Sequence, residues 1–178
     1  MTEKVILVDK KDVAIGEMEK LEAHKTAKLH RAVSVFIFNS QGKLLLQKRA
    51  ESKYHSPSLW TNTTCTHPRP DEDNENAAAR RLDEEMGINN VKLTKIFDFI
   101  YKEEFQNGLT EYEFDHVFVG ISDDLPILEL MEVSDFEYIE TIALLEQIHK
   151  SPEKYTVWFI KIIDRVLSEV QNINFTKP

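Results

Sequence analysis

Residues 60–88, WTNTTCTHPRPDEDNENAAARRLDEEMGI, form the stretch that decides the fold of this chain. Its second half predicts a helix that begins at Asn74, a favourable N-cap residue, and ends at Gly87, a common C-terminal stop. Apolar side chains recur at every fourth position of this segment, at Ala78, Leu82 and Met86. This period places them on one side of the helix, which indicates packing against a core.

The polar side of the same helix carries a dense run of charges, and two interpretations are open. Arg81 and Glu85 are four residues apart, so they can form an ion pair on a solvated surface, the usual arrangement for a run of charges. The alternative is a metal-dependent phosphate site. The order of the residues favours it: Glu72, seven residues, Arg80-Arg81-Leu82, one residue, Glu84-Glu85, one residue, Gly87-Ile88.

This order resembles the Nudix box, G-x5-E-x7-R-E-U-x-E-E-x-G-U, in which U is a bulky apolar residue. The resemblance implies carboxylates that bind a Mg²⁺ ion held by a diphosphate, with Glu85 as the ligand in this chain. Two positions depart from the pattern. Thr66 stands where the first glycine belongs, and Arg81 replaces the acidic residue that follows the arginine.

The departures and the flanking residues resemble one family of the Nudix superfamily, the type I isopentenyl-diphosphate isomerases. The shared residues are Trp60-Thr61-Asn62, Cys65-x-His67-Pro68 and Arg80-Arg81-Leu82, within a resemblance that covers about residues 5–158. It implies interconversion of isopentenyl and dimethylallyl diphosphate through a tertiary carbocation. A Nudix pyrophosphohydrolase and a non-catalytic diphosphate-sensing module are the alternatives. Arg81 counts against hydrolysis because it removes a metal-binding carboxylate, and Cys65 has no role in that reaction.

Composition and net charge argue against several other classes of protein. A chain of 178 residues that is 42% hydrophobic suits one domain over residues 1–178. No apolar run approaches the roughly 18 residues of a membrane span, and the first residues lack the apolar core of a signal peptide. The single cysteine fits a reducing cytoplasm. The net charge of −9 argues against nucleic-acid binding. We therefore expect a cytoplasmic protein, monomeric or dimeric, that binds a small diphosphate.

The rest of the chain is typical of short strands with a few helices. Strands are predicted at residues 5–8, 32–38, 91–105, 110–121 and 136–139 and from residue 44 onward, and helices at 142–149 and 156–170. Residues 17–28 are polar, and no element is predicted there. The pattern indicates an α+β fold, and with the resemblance a Nudix-like α/β/α sandwich that has a mixed β-sheet and flanking helices.

The resemblance implies a metal site of three histidines and two glutamates: His24, His30, His67, Glu111 and Glu113. The two glutamates are two residues apart on one predicted strand, so they project from the same face. Such ligands suit Mn²⁺, Zn²⁺ or Fe²⁺, and we expect Mn²⁺ or Zn²⁺ here in addition to the Mg²⁺ at Glu85. A lone histidine is more often structural than a ligand, and His55, His116 and His149 are interpreted as structural.

The resemblance also implies the groups that act on the substrate. Moving a double bond needs a proton added at one carbon and another removed two carbons away, and Cys65 and Glu113 are the implied pair. Tyr101 lies beside Glu113 in the family, and Trp158 faces the carbocation, which an aromatic ring can stabilise. Taken alone, the thiol and the tryptophan are ordinary core residues. The implied diphosphate ligands are four basic side chains: Lys20, Arg49, Lys53 and Arg81.

For the hairpin between the two longest strands, the local sequence pattern and the resemblance predict different registers. Asn107-Gly108 is a strong signal for a two-residue turn, and counting outward from such a turn pairs Tyr101 with Phe114. Partners that are directly opposite share a face, so the tyrosine would then point away from Glu113. We therefore predict a bulge or a longer loop that shifts the register by one residue.

Overall fold

The computed structural model describes residues 3–171, and its strands form one mixed sheet. The strands are β1 (Lys4–Val8), β2 (Ala14–Glu19), β3 (His30–Phe38), β4 (Leu44–Arg49), β5 (Trp60–Thr61), β6 (Thr64–Thr66), β7 (Thr94–Glu104), β8 (Thr110–Ile121) and β9 (Val133–Ile139). The helices are α1 (Lys20–Lys25), α2 (Asn74–Met86), α3 (Thr141–Lys150) and α4 (Val157–Val170), with a short 3-10 turn at Pro152–Lys154. The predicted single domain over residues 1–178 includes residues 1–2 and 172–178, which lie outside the described range.

The sheet is built around β3 and β8, which run parallel from the pair His30–Glu113 to the pair Phe38–Ile121. β7 extends the sheet beyond β8 as an antiparallel partner. On its other edge β3 pairs in succession with β1, β6 and β4, and β4 pairs with β9. Helix α2 packs on one face of the sheet and α4 on the other. This arrangement confirms the predicted α/β/α sandwich with a mixed sheet.

Alternation along β3 explains why both faces need a helix. Val33, Val35 and Ile37 pack against the apolar side of α2, whereas Phe36 and Phe38 pack against α4. A strand that is covered on both faces has a nearly continuous apolar sequence, and Val33 to Phe38 is such a run except for one serine. This serine lies on the face that carries the polar cluster described below.

Several predicted boundaries move by a few residues. The residue at the N-cap of α2 is Asp73, not Asn74, because Asp73 has an extended backbone and its carboxylate accepts a hydrogen bond from the Asn76 N–H at 2.8 Å. Gly87 is left-handed and ends the helix, as predicted. β7 begins at Thr94 rather than at residue 91. The polar segment 17–28, for which no element was predicted, contains the end of the edge strand β2 and the whole of helix α1.

The predicted shift of the hairpin register is confirmed. Gln106, Asn107 and Gly108 form a three-residue loop, and the Phe105 N–H donates to the Leu109 carbonyl at 2.8 Å. Gly108 has a φ of 80°, the left-handed conformation that closes a loop of this length. Tyr101 consequently lies directly opposite Glu113. No helix within residues 3–171 is long and apolar enough to cross a membrane.

Candidate active site

The candidate site lies where one face of the central sheet changes from apolar to polar. Toward one end of β3 and β8 this face carries Phe36 and Val117, which belong to the α4 core. Toward the other end the same face carries His30, Ser34, Glu111, Glu113 and Asp115, all of them buried. Strand β6 adds Cys65 directly opposite Ser34. The parallel register of β3 and β8 therefore gathers histidine, carboxylate and thiol groups into one small region.

A cavity of about 1170 Å³ opens onto this region. Its wall contains all of the residues predicted to act on a substrate, namely Lys20, Arg49, Lys53, Cys65, Arg81, Glu85, Tyr101, Glu113 and Trp158. The cavity also reaches His67 and Glu111 of the predicted metal site. Segments that are far apart in the sequence thus meet around one space, as the resemblance implied.

Five buried side chains bring one ligand atom each within 4.8 Å of one another: His24, His30, His67, Glu111 and Glu113. The Nε2 atom of His24 lies 3.1 Å from a Glu111 oxygen, and the Nε2 atom of His67 lies 2.8 Å from a Glu113 oxygen. The Nε2 atoms of His30 and His67 face each other at 3.2 Å. These five are the residues predicted as metal ligands, and the group is able to hold a divalent metal ion.

Hydrogen bonds outside the cluster fix which ring nitrogens face its centre. Nδ1 of His24 lies 2.6 Å from the Lys20 carbonyl, and Nδ1 of His30 lies 2.8 Å from the Lys28 carbonyl. A carbonyl can only accept, so both Nδ1 atoms carry a proton, and in the neutral rings the Nε2 atoms are the ones available to a metal. This is how metal-binding histidines are usually oriented.

The protonation of the cluster also fits a cation at its centre. Burial lowers the pKa of His67 to about 4, so this ring is neutral at pH 7 and able to act as a ligand. Burial would raise the pKa of Glu113, but hydrogen bonds from His30 and His67 hold that pKa well below its ordinary value. Two carboxylates and inward lone pairs repel one another unless a cation lies between them, which supports a divalent metal site.

Cys65 lies beside the cluster, and its thiol contacts two neighbouring side chains. Its Sγ atom is 3.1 Å from Oδ1 of Asn62 and 3.7 Å from Oγ of Ser34. Burial, together with the nearby Asp115 carboxyl group, raises the pKa of the Cys65 thiol to about 12. At neutral pH the side chain is therefore a thiol that carries a transferable proton.

Tyr101 and Trp158 complete the buried end of the cavity. The Tyr101 hydroxyl donates to Oε2 of Glu113 at 2.6 Å. The indole of Trp158 is only 4% exposed, and its Nε1–H donates to Oγ1 of Thr61 at 3.1 Å. The guanidinium group of Arg49 lies 5.4 Å from the centre of the indole ring, so a cation already occupies one side of this aromatic system.

The opposite end of the cavity carries basic side chains. Arg81 contacts Glu85 at 2.7 Å, and both Arg81 and Lys53 contact the carboxylate of Glu132. Glu85 is 4% exposed and accepts a hydrogen bond from the Gln47 amide at 2.9 Å. Burial raises the pKa of Glu85 despite the attraction of Arg81. An anion that binds here would meet cationic side chains that are already held in place by ion pairs with carboxylates.

Ion pairs join the three remaining charged residues of the box. Arg80 contacts both oxygens of Glu72, with its Nε and Nη2 atoms at 2.7 and 2.9 Å, so the bond is bidentate. This pair connects the loop before α2 to the helix itself. Hydrogen bonds from Arg80 are the main reason why the pKa of Glu72 is lowered. Glu84 is half-exposed and accepts from both arginines.

Sequence reasoning missed three residues of the site: His55 and Glu132 line the cavity, and Asp115 contacts Ser34 beside Cys65. His55 was interpreted as structural, yet its Nε2 atom lies 3.1 Å from the free oxygen of Glu111, and its ring lies edge-on to Trp158. It stands in the loop before β5, where no periodicity marks it. Glu132 follows an irregular loop and gave no signal either. Asp115 could have been found, because it continues the alternation of Glu111 and Glu113 along one face of β8.

Comparison with known proteins agrees with this geometry. The NUDIX domain profile matches residues 28–159. Isopentenyl-diphosphate Delta-isomerase 2 of Photorhabdus laumondii is 51% identical over 164 residues, which cover 92% of each chain. Isopentenyl-diphosphate Delta-isomerase 2 of Aromatoleum aromaticum is 46% identical over 168 residues, which cover 94% of this chain and 88% of that one. The chain belongs to the isopentenyl-diphosphate Delta-isomerase family of the Nudix superfamily.

Solved structures show the same fold at greater distance. A crystal structure from Deinococcus radiodurans matches this Nudix isomerase family member with a TM-score of 0.77 at 23% identity, and covers 92% of this chain and 98% of that one. At this identity the match supports the fold alone. The histidine cluster must therefore be judged by its own geometry.

Proposed function

We propose that the chain interconverts isopentenyl diphosphate and dimethylallyl diphosphate by protonation and deprotonation through a tertiary carbocation. One observation carries the proposal. A half-buried thiol, Cys65, and a buried carboxylate that accepts a hydrogen bond from a phenol, Glu113 with Tyr101, line the same cavity, and a buried indole lines it with them. These are the groups that an alkene needs in order to gain one proton and lose another.

The proton transfers follow from the states of the two groups. Cys65 is a thiol at neutral pH because its pKa is raised, so it can give a proton to the terminal carbon of isopentenyl diphosphate. Glu113 is a carboxylate because its pKa is lowered, so it can accept the proton from the carbon next to the one that bears oxygen. Tyr101 holds this carboxylate by its 2.6 Å hydrogen bond. The pair runs in the opposite sense for the reverse reaction.

The carbocation needs a site without water. Trp158 offers the face of its indole ring, and an aromatic face stabilises a desolvated cation by roughly 2 kcal/mol. The phenol of Tyr101 and the indole of Trp158 are buried beside the half-buried thiol of Cys65, which limits the access of water to the cation. Exclusion of water protects the intermediate from capture as an alcohol.

The cationic end of the cavity suits the diphosphate. Lys20, Arg49, Lys53 and Arg81 are the groups that would bind its oxygens, and arginine can do so bidentately. Glu85 would hold a Mg²⁺ ion that bridges the phosphates, an oxygen ligand of the kind that Mg²⁺ prefers. The bound ion would neutralise the diphosphate, which the net charge of −9 would otherwise repel.

The histidine cluster would hold Mn²⁺ or Zn²⁺, since imidazole and carboxylate ligands suit these ions. In the bound state this metal supplies a fixed positive charge beside the Glu113 carboxylate. His24, His30, His67 and Glu111 would then keep Glu113 at the position from which it reaches the substrate. The free cysteine supports a cytoplasmic location, and monomer or dimer is the expected assembly.

Incubation with isopentenyl diphosphate and Mg²⁺ in D₂O tests the proposal. Isomerisation yields dimethylallyl diphosphate that carries deuterium, and Cys65→Ala abolishes both the product and the label. Hydrolysis, the rival activity, would release phosphate and leave the alkene unlabelled. A diphosphate sensor would bind the compound and form neither product. Phosphate release that survives in Cys65→Ala would overturn the assignment.

A further inference from the structure

A chain of neutral hydrogen bonds joins the indole of Trp158 to the thiol of Cys65. Trp158 Nε1 lies 3.1 Å from Thr61 Oγ1, which lies 2.9 Å from Asn62 Oδ1, which in turn lies 3.1 Å from Cys65 Sγ. Thr61 also lies 2.8 Å from the hydroxyl of Thr156. Thr61, Asn62 and Thr156 are all 0% exposed, so water does not compete for these bonds. Neither Thr61 nor Asn62 is among the residues that line the cavity.

The direction of every bond in this chain is fixed by chemistry. Both protons of the Asn62 amide go to carbonyl groups, that of Val35 at 3.2 Å and that of Thr64 at 2.7 Å. The Asn62 oxygen therefore faces Cys65 and Thr61, and it can only accept. Cys65 and Thr61 must both donate to it.

The Thr61 hydroxyl donates its single proton to Asn62, so it accepts hydrogen bonds from its other two neighbours, Trp158 and Thr156. The indole N–H of Trp158 can only donate, which agrees with this direction. The hydroxyl of Thr156 must donate as well. All donors and acceptors of the Thr61 and Asn62 side chains are then in use, and a fully satisfied buried network is rigid.

The position of Thr156 supports a special role for this network. Thr156 is the N-cap residue of α4, where a threonine hydroxyl ordinarily accepts a backbone N–H of the first turn. Its side chain makes no such bond here and contacts Thr61 instead. The helix that carries Trp158 thus begins without its usual side-chain cap. The Thr156 hydroxyl belongs instead to the bridge, the chain of hydrogen bonds that joins Trp158 to Cys65 through Thr61 and Asn62.

We propose that Thr61 is a positioning residue of the isomerase, whose hydroxyl group connects the Trp158 indole on α4 to the Asn62 amide that orients the Cys65 thiol on β6. The inference rests on the proposed function, in which these two side chains act on one small alkene. The sheet and α4 are separate layers, and the bridge sets the distance and the angle between their two reacting groups. Misplacement of about 1 Å can cost about 100-fold in rate.

Three variants distinguish the effect of the Thr61 hydroxyl from the effect of any change at a buried position. Thr61→Val keeps the shape and removes the hydroxyl, whereas Thr61→Ser keeps the hydroxyl. Thr64→Val is the matched control, because the Thr64 hydroxyl is equally buried and has no hydrogen-bond partner among residues 3–171. We expect kcat for isopentenyl diphosphate to fall about 10- to 100-fold in Thr61→Val, with KM changed less than about threefold. Thr61→Ser should restore most of kcat, and Thr64→Val should leave it unchanged.

A spectroscopic measurement reports on the bridge without turnover. The chain has two tryptophans, and Trp60 serves as the internal reference. In Thr61→Val the indole N–H resonance of Trp158 should move upfield and exchange faster with solvent deuterium, since its acceptor is gone. The Trp60 resonance should stay in place. Thr61→Ser should restore the Trp158 resonance.

Four outcomes would overturn the inference: unchanged kcat in Thr61→Val, an equal loss in Thr61→Ser or in Thr64→Val, a rise in KM that accounts for the whole effect, or an unmoved Trp158 resonance. Failure of the proposed function would look different. In that case the wild-type protein would form no deuterated dimethylallyl diphosphate, while the Trp158 resonance would still respond to the loss of the Thr61 hydroxyl.

Discussion

Removal of the metal from the histidine–glutamate cluster should destabilise the whole protein. The five ligands come from α1, β3, β8 and the segment after β6, so a bound ion ties together four parts of the chain. It would also give the Nε2 atoms of His30 and His67, which are 3.2 Å apart, a common partner. A ligand that binds only the folded state stabilises it in proportion to the logarithm of its concentration.

The size of the effect follows from mass action. At a free metal concentration of 100 times Kd, the free energy of unfolding rises by about 2.7 kcal/mol. For a protein of this length, 1 kcal/mol corresponds to about 2–4 °C in Tm. Protein stripped with a chelator and then titrated with Mn²⁺ should therefore gain about 5–11 °C, measured by differential scanning calorimetry.

A pair of histidine variants makes the measurement specific. His67→Asn removes one ligand and should abolish most of the gain. His116→Asn is the matched control, because His116 is also buried but bonds to Asp12 outside the cluster. A Tm that does not respond to Mn²⁺ or Zn²⁺, or a gain that persists in His67→Asn, would refute the interpretation of the cluster as a metal site.

Two further changes test single bonds. Tyr101→Phe should lower kcat about 10- to 100-fold, because the bond to the Glu113 carboxylate contributes about 1.5–3 kcal/mol. Tyr155→Phe removes a hydroxyl that donates to Gln147 outside the cavity and should leave kcat unchanged in the same assay. Glu72→Gln should lower the free energy of unfolding at pH 7. The pKa of Glu72 is lowered in the folded state by Arg80, so this contribution is present above the unfolded pKa and disappears as the pH falls through the folded pKa. Urea denaturation should show a larger difference between wild type and variant at pH 7 than at pH 3.

The fold could be predicted because its elements follow local patterns. The period of α2, the left-handed stop at Gly87 and the apolar run of β3 each depend on residues that are close in the sequence. The elements that were not predicted depend on contacts between residues that are far apart in the sequence. Strand β2 is polar and largely exposed, and it is a strand because it pairs with β1, which no local period reveals.

The resemblance to the family names most of the site, and its strongest signals are short motifs. Cys65 and Arg81 belong to such motifs, whereas the role of His55 depends on a loop that brings its ring to Glu111 and Trp158. The hairpin shows the same division. Asn107-Gly108 indicates a turn correctly, but the number of residues in the loop is decided by which register buries Tyr101 against Glu113.

One substitution in the box helix explains how a Nudix fold can serve an isomerase. A hydrolase needs several carboxylates at this helix in order to hold the ions that activate water. Arg81 occupies one of those positions and contacts Glu85 and Glu132, so its guanidinium group fills space that a second ion would need. Glu85 remains as a carboxylate for one ion at the diphosphate. The group able to hold a further metal lies elsewhere, at the polar ends of β3 and β8. In the proposed function, the helix would anchor an anion instead of activating water, and the proton chemistry would take place at the sheet.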